Sequence, residues 1–248
     1  MEKPLKVLVV GCSSGVGLQA TKKLLEKNEH FEVIGLVRNQ EKAVQAIGEE
    51  AGKVKFIKGD ITKVETLGPA CNGVDVVICT VGATVGWRLP SSNANTPKNC
   101  DYLGVKNLSE AAAHAKVPKF VLVSSMAVTR PWYPVALLLN TAFGNVLQWK
   151  LKGENCLREV YRQQSNLSYN IVRPGGLTNK KGGAKVILVD QGDKCSGMIT
   201  REDVATVVLA CVEGKCTPNS TFEIVNGDKE GGLVDPESLS RLVPDPQV

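Results

Sequence analysis

Apolar and polar positions along the chain fall into short apolar runs separated by longer stretches with helical spacing. Leu5 to Val10 is an apolar run ending in Gly11, as suits a strand buried on both faces of a parallel sheet. Val16 to Leu25 then takes helical spacing, and Phe31 to Val37 forms a second apolar run closed by Arg38, completing a strand-helix-strand unit. The pattern repeats, with strands predicted at Val54 to Ile57, Val74 to Cys79, Phe120 to Val123 and Leu167 to Val172. The intervening helices fall near Glu41 to Ile47, Val64 to Ala70, Thr96 to Ala115 and Leu138 to Arg162. Such alternation, without internal repeats or low-complexity linkers, predicts an α/β fold with a doubly wound parallel sheet.

After Arg173 the alternation loosens into Pro174-Gly175-Gly176 and a Lys- and Gly-rich stretch. A strand at Val186 to Val189, a helix at Arg201 to Val212 and a strand at Thr221 to Val225 follow. This region is expected to form a small substrate-side C-terminal cap on a single domain spanning residues 1–226. Residues 227–248 would be a partly mobile tail holding one short helix, Pro236 to Leu242.

A length of 248 residues, with 43% hydrophobic and 22% charged residues, fits one ordinary globular domain. No apolar run approaches the roughly 20 residues of a membrane span. The net charge of +5 is scattered rather than gathered into a basic block, which argues against a nucleic-acid partner. The eight cysteines show no C-x-x-C spacing and sit mostly among apolar residues, as buried thiols of a reducing compartment would. Met1 to Lys6 run straight into the first strand, so the expected location is the cytoplasm, or a plastid had a transit peptide been removed. No His/Cys/carboxylate cluster calls for a metal; His30 and His114 read as surface residues.

The chemistry gathers at the ends of the predicted strands. Gly11-Cys12-Ser13-Ser14-Gly15-Val16-Gly17 follows the first strand and opens a helix, the setting in which a glycine loop and a helix N-terminus receive a dinucleotide pyrophosphate. Arg38 ends the second strand, where an NAD-selective site would place a carboxylate; none stands at Leu36, Val37 or Arg38. A guanidinium there pairs with a 2'-phosphate, and Ser13 or Ser14 adds a hydroxyl donor, so the expected cofactor is NADP(H). Asp60 is expected at the adenine amino group with Ile61 beside the ring, and Val81-Gly82-Ala83 along the adenosine ribose.

These features, with Asp101-Tyr102-Leu103-Gly104-x-Lys106-Asn107, Val123-Ser124-Ser125, Trp149-Lys150-x-Lys152-x-Glu154, Val172-Arg173-Pro174-Gly175-Gly176 and Thr200-Arg201-Glu202-Asp203-Val204-Ala205, span nearly the whole chain. Together they resemble the atypical short-chain dehydrogenase/reductase superfamily, in particular the NmrA-like proteins of plants, algae and cyanobacteria. The resemblance implies a Rossmann fold of seven parallel strands, with the nicotinamide end near Ser124, Ser125, Lys150, Pro174 and Gly175. It assigns Ser125 to the serine of the catalytic set and Lys150 to the lysine that holds the cofactor ribose. The tyrosine expected four residues before Lys150 is instead Val146, which transfers no proton. The Tyr102 to Lys106 spacing is a decoy on the preceding helix. Thr129 to Leu139 would lie over the nicotinamide as an apolar lid, from which Tyr133 is a candidate substitute for the missing phenol. Lys180 and Lys181 either solvate a loop or meet an acidic substrate, and Asp203 is expected to start a helix rather than to do chemistry.

The leading expectation is an NADP(H)-dependent oxidoreductase acting on a small apolar or conjugated acceptor. The alternative is a non-catalytic NADP(H)-binding redox sensor or assembly factor, with sugar-nucleotide epimerase chemistry third because it leans on the absent tyrosine. The long helices around Asp101 to Lys116 and Leu138 to Arg162 are candidates for pairing in a homodimer.

Overall fold

A computed structural model describes residues 3–83, 95–232 and 234–246. Its central sheet has eight strands in the order β3-β2-β1-β4-β5-β6-β10-β8. These are β1 (Leu5–Val10), β2 (Phe31–Val37), β3 (Lys55–Lys58), β4 (Val76–Cys79), β5 (Lys119–Val123), β6 (Ser168–Pro174), β8 (Lys185–Asp190) and β10 (Ser220–Glu230). Seven strands run parallel, as expected; the eighth, β8, closes the edge antiparallel to β10. A separate parallel pair, β7 (Gly176–Thr178) and β9 (Met198–Thr200), lies beyond the end of β6.

Parallel strands covered on both faces must be apolar at every position, and β1 shows why its run does not alternate. Val7 and Val9 face one hydrophobic layer with α1 (Gly15–Leu25), α2 (Gln40–Ile47) and α7 (Arg201–Val212). Leu8 and Val10 face the other, with α3 (Leu67–Cys71), α4 (Val105–His114) and α6 (Val146–Arg162). The sheet order reverses between β1 and β4, and at that switch point a crevice opens outside the strand ends.

Three sequence expectations are corrected. The uniform helix predicted over Thr96 to Ala115 is a π-helical stretch, Lys98–Gly104, followed by α4. The helix predicted over Leu138 to Arg162 is two helices, α5 (Pro134–Ala142) and α6. Gly144 (φ +67°) and Asn145 (φ +59°) take left-handed backbone between them, and the Asn140 side chain accepts from the Leu147 N–H to start α6. The tail is packed: α8 (Pro236–Ser240) buries Leu239, Leu242 is buried beyond it, and Asp245 accepts from the Thr221 N–H and hydroxyl.

Candidate functional site

The glycine loop sits at the mouth of the crevice. Gly11 (φ +102°) and Gly15 (φ +55°) take left-handed backbone, and the start of α1 approaches so closely that a side chain at Gly17 would meet the Gly11 carbonyl oxygen. Ser14 is the residue before α1, yet its hydroxyl makes no capping hydrogen bond, and the first turn of α1 carries no acid. Val16 is buried beneath the loop.

A cleft of about 200 Å³ brings together Gly11, Ser13, Ser14, Arg38, Asp60, Ile61, Val81 and Gly82 from four separate strand ends. Arg38 is exposed on its rim, with no carboxylate in ion-pair range among the described residues. Asp60 spends Oδ1 on the N–H and hydroxyl of Thr62. Cys100 also lines the cleft, its thiol pushed up to about 11 by burial and then by Asp101.

Behind Gly82, which lines this cleft, lies a residue to which the sequence reading assigned no role. Asp101 is wholly buried; its Oδ1 lies 2.7 Å from Lys150 Nζ, and its Oδ2 accepts from the Ala83 N–H at 3.0 Å. The pair sits against Gly82, where an added side chain would approach both Asp101 Oδ1 (3.2 Å) and Lys150 Nζ (3.4 Å). Helix α6 comes close enough to seat Lys150 there because Gly153 presses on the Asp101 carbonyl oxygen. Ser124 and Lys150 share a small internal void with Asp101, and the buried Ser124 Oγ has no hydrogen-bond partner among the described residues. The spacing of Asp101, Val105 and Leu108 on one buried face was the available signal.

Ser125, Pro174 and Gly175 are held by backbone contacts. Ser125 Oγ donates to the Met126 carbonyl, the Pro174 carbonyl accepts from the Met126 N–H, and Gly175 packs on Gly197. Just after Ser125 the chain turns through Ala127 in left-handed backbone (φ +63°). Buried Asp193 secures this turn, accepting from the N–H of Ala127 (2.6 Å) and the N–H and hydroxyl of Thr129. Burial alone would raise the Asp193 carboxyl; these donors outweigh it and hold it below the ordinary value. Arg130, also on Asp193, lies 4.6 Å over the Tyr133 ring at the start of α5. Tyr133 thus packs with Ala127, Val128, Ala136, Val146 and Leu147 in an apolar lid cluster.

Tyr102 stacks on Trp149, and Lys106 faces Glu110. His30 and His114 are exposed, and no metal-binding cluster occurs among the described residues. Asp203 starts α7 with its N–H on the Thr200 cap, and its carboxylate also accepts from the Gly183 N–H and Asn226. No helix among the described residues is long and apolar enough to cross a membrane.

Residues 11–215 match the family described as NAD(P)H-binding. Sanguinarine reductase from Eschscholzia californica is 32% identical, over 93% of this chain and 92% of its own length. An uncharacterized chloroplastic protein of Arabidopsis thaliana is 32% identical over 85% of this chain, which covers 66% of that protein. Among solved structures, the oxidoreductase ylbE from Lactococcus lactis superposes with a TM-score of 0.73 at 22% identity, covering 91% of this chain and 93% of that one. The chain belongs to the NAD(P)H-binding family, within the atypical short-chain dehydrogenase/reductase group.

Proposed function

We propose that this family member is an NADP(H)-dependent oxidoreductase that transfers hydride to a small apolar or conjugated acceptor. The observation that carries the reading is the Lys150 ammonium held by buried Asp101 behind Gly82, a residue lining the cleft whose rim carries Arg38. Arg38 would take the 2'-phosphate, Ser13 and Ser14 the pyrophosphate, Asp60 and Ile61 the adenine, and Val81 to Ala83 the adenosine ribose. Lys150 would hold the nicotinamide ribose hydroxyls, with Ser124, Pro174 and Gly175 walling that end. The nicotinamide, when bound, supplies a hydride.

Ser125 would orient the acceptor and Tyr133 would close the lid. With Val146 buried in that lid, no phenol stands four residues before Lys150. An acceptor that spreads the arriving charge over a conjugated system, such as a flavin, a quinone or a tetrapyrrole, needs little acid assistance. The name of the sanguinarine reductase relative supports reduction as the reaction. The same Val146 favours the second reading, an NADP(H)-binding redox sensor or assembly factor without turnover.

The cofactor unit is taken as residues 1–226 with 227–248 its tail, and α4 and α6 as the faces of a homodimer. The chloroplastic relative favours a plastid over the cytoplasm. The test is calorimetric titration with NADPH and NADH on the native chain and on Arg38→Ala, followed by NADPH oxidation across flavins and quinones. Tight NADPH binding that falls to NADH-like affinity in the variant is expected. Binding of neither dinucleotide would remove both readings; binding without oxidation of any acceptor leaves the sensor.

A further inference from the structure

Arg201 opens α7 and faces the glycine loop: its Nε lies 3.8 Å from where a Gly15 side chain would begin. Its Nη1 donates to Asn179 Oδ1 at 2.7 Å, a neutral partner that orients the guanidinium without neutralising it. The adjacent acid lines the same cleft but is engaged by donors other than Arg201. Glu202 accepts from the Gly182 N–H at 2.9 Å and lies 3.8 Å from Lys23. No carboxylate stands within ion-pair distance of Arg201 among the described residues.

An open cleft of about 710 Å³ runs here between α1 and the segment after β7, with Arg201, Glu202, Asn179, Lys180 and Lys181 on one wall and Gln19 on the other. It shares Ser14 with the cleft that carries Arg38, so the two meet at the loop. A guanidinium held by Asn179, a Ser14 hydroxyl that makes no capping bond and two exposed lysines therefore share the cleft that borders the glycine loop.

We propose that Arg201, held by Asn179, is the outer clamp on the cofactor pyrophosphate, closing over Gly15 while the loop backbone holds the diphosphate from within. The assignment rests on the dinucleotide-binding reading above. It gives the Thr200-Arg201-Glu202-Asp203 segment a use: Thr200 and Asp203 start the helix and stitch it to its neighbours, and Arg201 meets the ligand. Lys180 and Lys181 form the electropositive rim through which the diphosphate enters.

The test uses three probes on the full chain: NADPH, NADH, and adenosine 2'-monophosphate, which carries the 2'-phosphate and no pyrophosphate. Arg201→Gln is expected to weaken both dinucleotides by about 10- to 100-fold, the range for a charge-assisted hydrogen bond, and to leave the monophosphate unchanged in competition. Arg38→Ala is expected to do the reverse, weakening NADPH and the monophosphate and sparing NADH. Arg201→Lys, which keeps the charge, and Asn179→Ala, which only frees the guanidinium, should give intermediate losses and serve if Arg201→Gln does not fold. Unchanged dinucleotide binding in the Arg201 variants, or an equal loss for the monophosphate, overturns the clamp alone. A native chain that binds neither dinucleotide overturns the cofactor reading itself.

Discussion

Removing the charge of Asp101 tests the site from the inside. The carboxylate is wholly buried and 2.7 Å from Lys150, whose side chain keeps 18% of its exposure. Breaking a fully buried pair by removing one partner costs about 3–5 kcal/mol, because the other charge is left uncompensated. Water at Lys150 relieves part of that, so Asp101→Asn, which preserves shape and an acceptor for the Ala83 N–H, is expected to cost about 2–3 kcal/mol. In a chain of this length each kcal/mol lowers Tm by about 2–4 °C, so the variant should melt about 5–10 °C early. Lys150→Met in the Asp101→Asn background removes the orphaned ammonium and should restore part of the loss, giving a coupling of about 1–2 kcal/mol in urea unfolding. A variant within about 1 °C of the native Tm, or strictly additive single effects, would refute the pairing as a determinant of stability.

Gly153→Ala drives a methyl against the Asp101 carbonyl, and should cost about 1–3 kcal/mol by denaturant midpoint while weakening dinucleotide binding through the displaced Lys150. Burial opposes but does not overcome the donors that lower Asp193, so its stabilisation is present above the ordinary carboxylate value near ~3.9 and is lost as pH falls through the depressed one. The stability gap between native chain and Asp193→Asn should therefore shrink as melts are taken from pH 6 toward pH 3; a gap that widens refutes the assignment. Burial holds Cys12 and Cys79 up to about 11 and Cys71 to about 12, so alkylation at pH 7.5 should be slow in the folded chain and complete in urea. NADPH should further slow modification of Cys100, which lines the cleft; equal rates with and without NADPH would count against occupancy there.

The strands and the glycine loop were legible because two-sided burial and a strand-to-helix turn each leave a local mark: apolar runs at Val7 to Val10 and Val33 to Val37, and glycines at positions of left-handed or crowded backbone. What was missed depended on long-range partners. Asp193 lies in Gln191-Gly192-Asp193-Lys194, which reads as a solvated turn; only the folded chain brings it under Ala127 and Thr129. β10 was cut short at Val225 because Asn226 to Glu230 carry no apolar pattern, yet the strand continues, pairing Glu230 with Lys185 on β8. The break at Gly144-Asn145 did have a local signal, two residues that tolerate positive φ, masked by helical spacing on either side. Arg201 stands in a motif by sequence, but its nearness to Gly15 is set by the packing of α7 on α1, which spacing alone does not report.

The π-helical stretch before α4 bears on how such a site arises. Each residue advances a helix by about 100°, so a widened turn is equivalent to one surplus residue lodged in an otherwise regular helix. The wide turn absorbs that residue locally, so the helix on either side keeps its phase and Asp101 stays on the buried side with Val105 and Leu108. The carboxylate thereby keeps its place beneath Gly82 while the hydrophobic layer under α4 continues regularly beyond it.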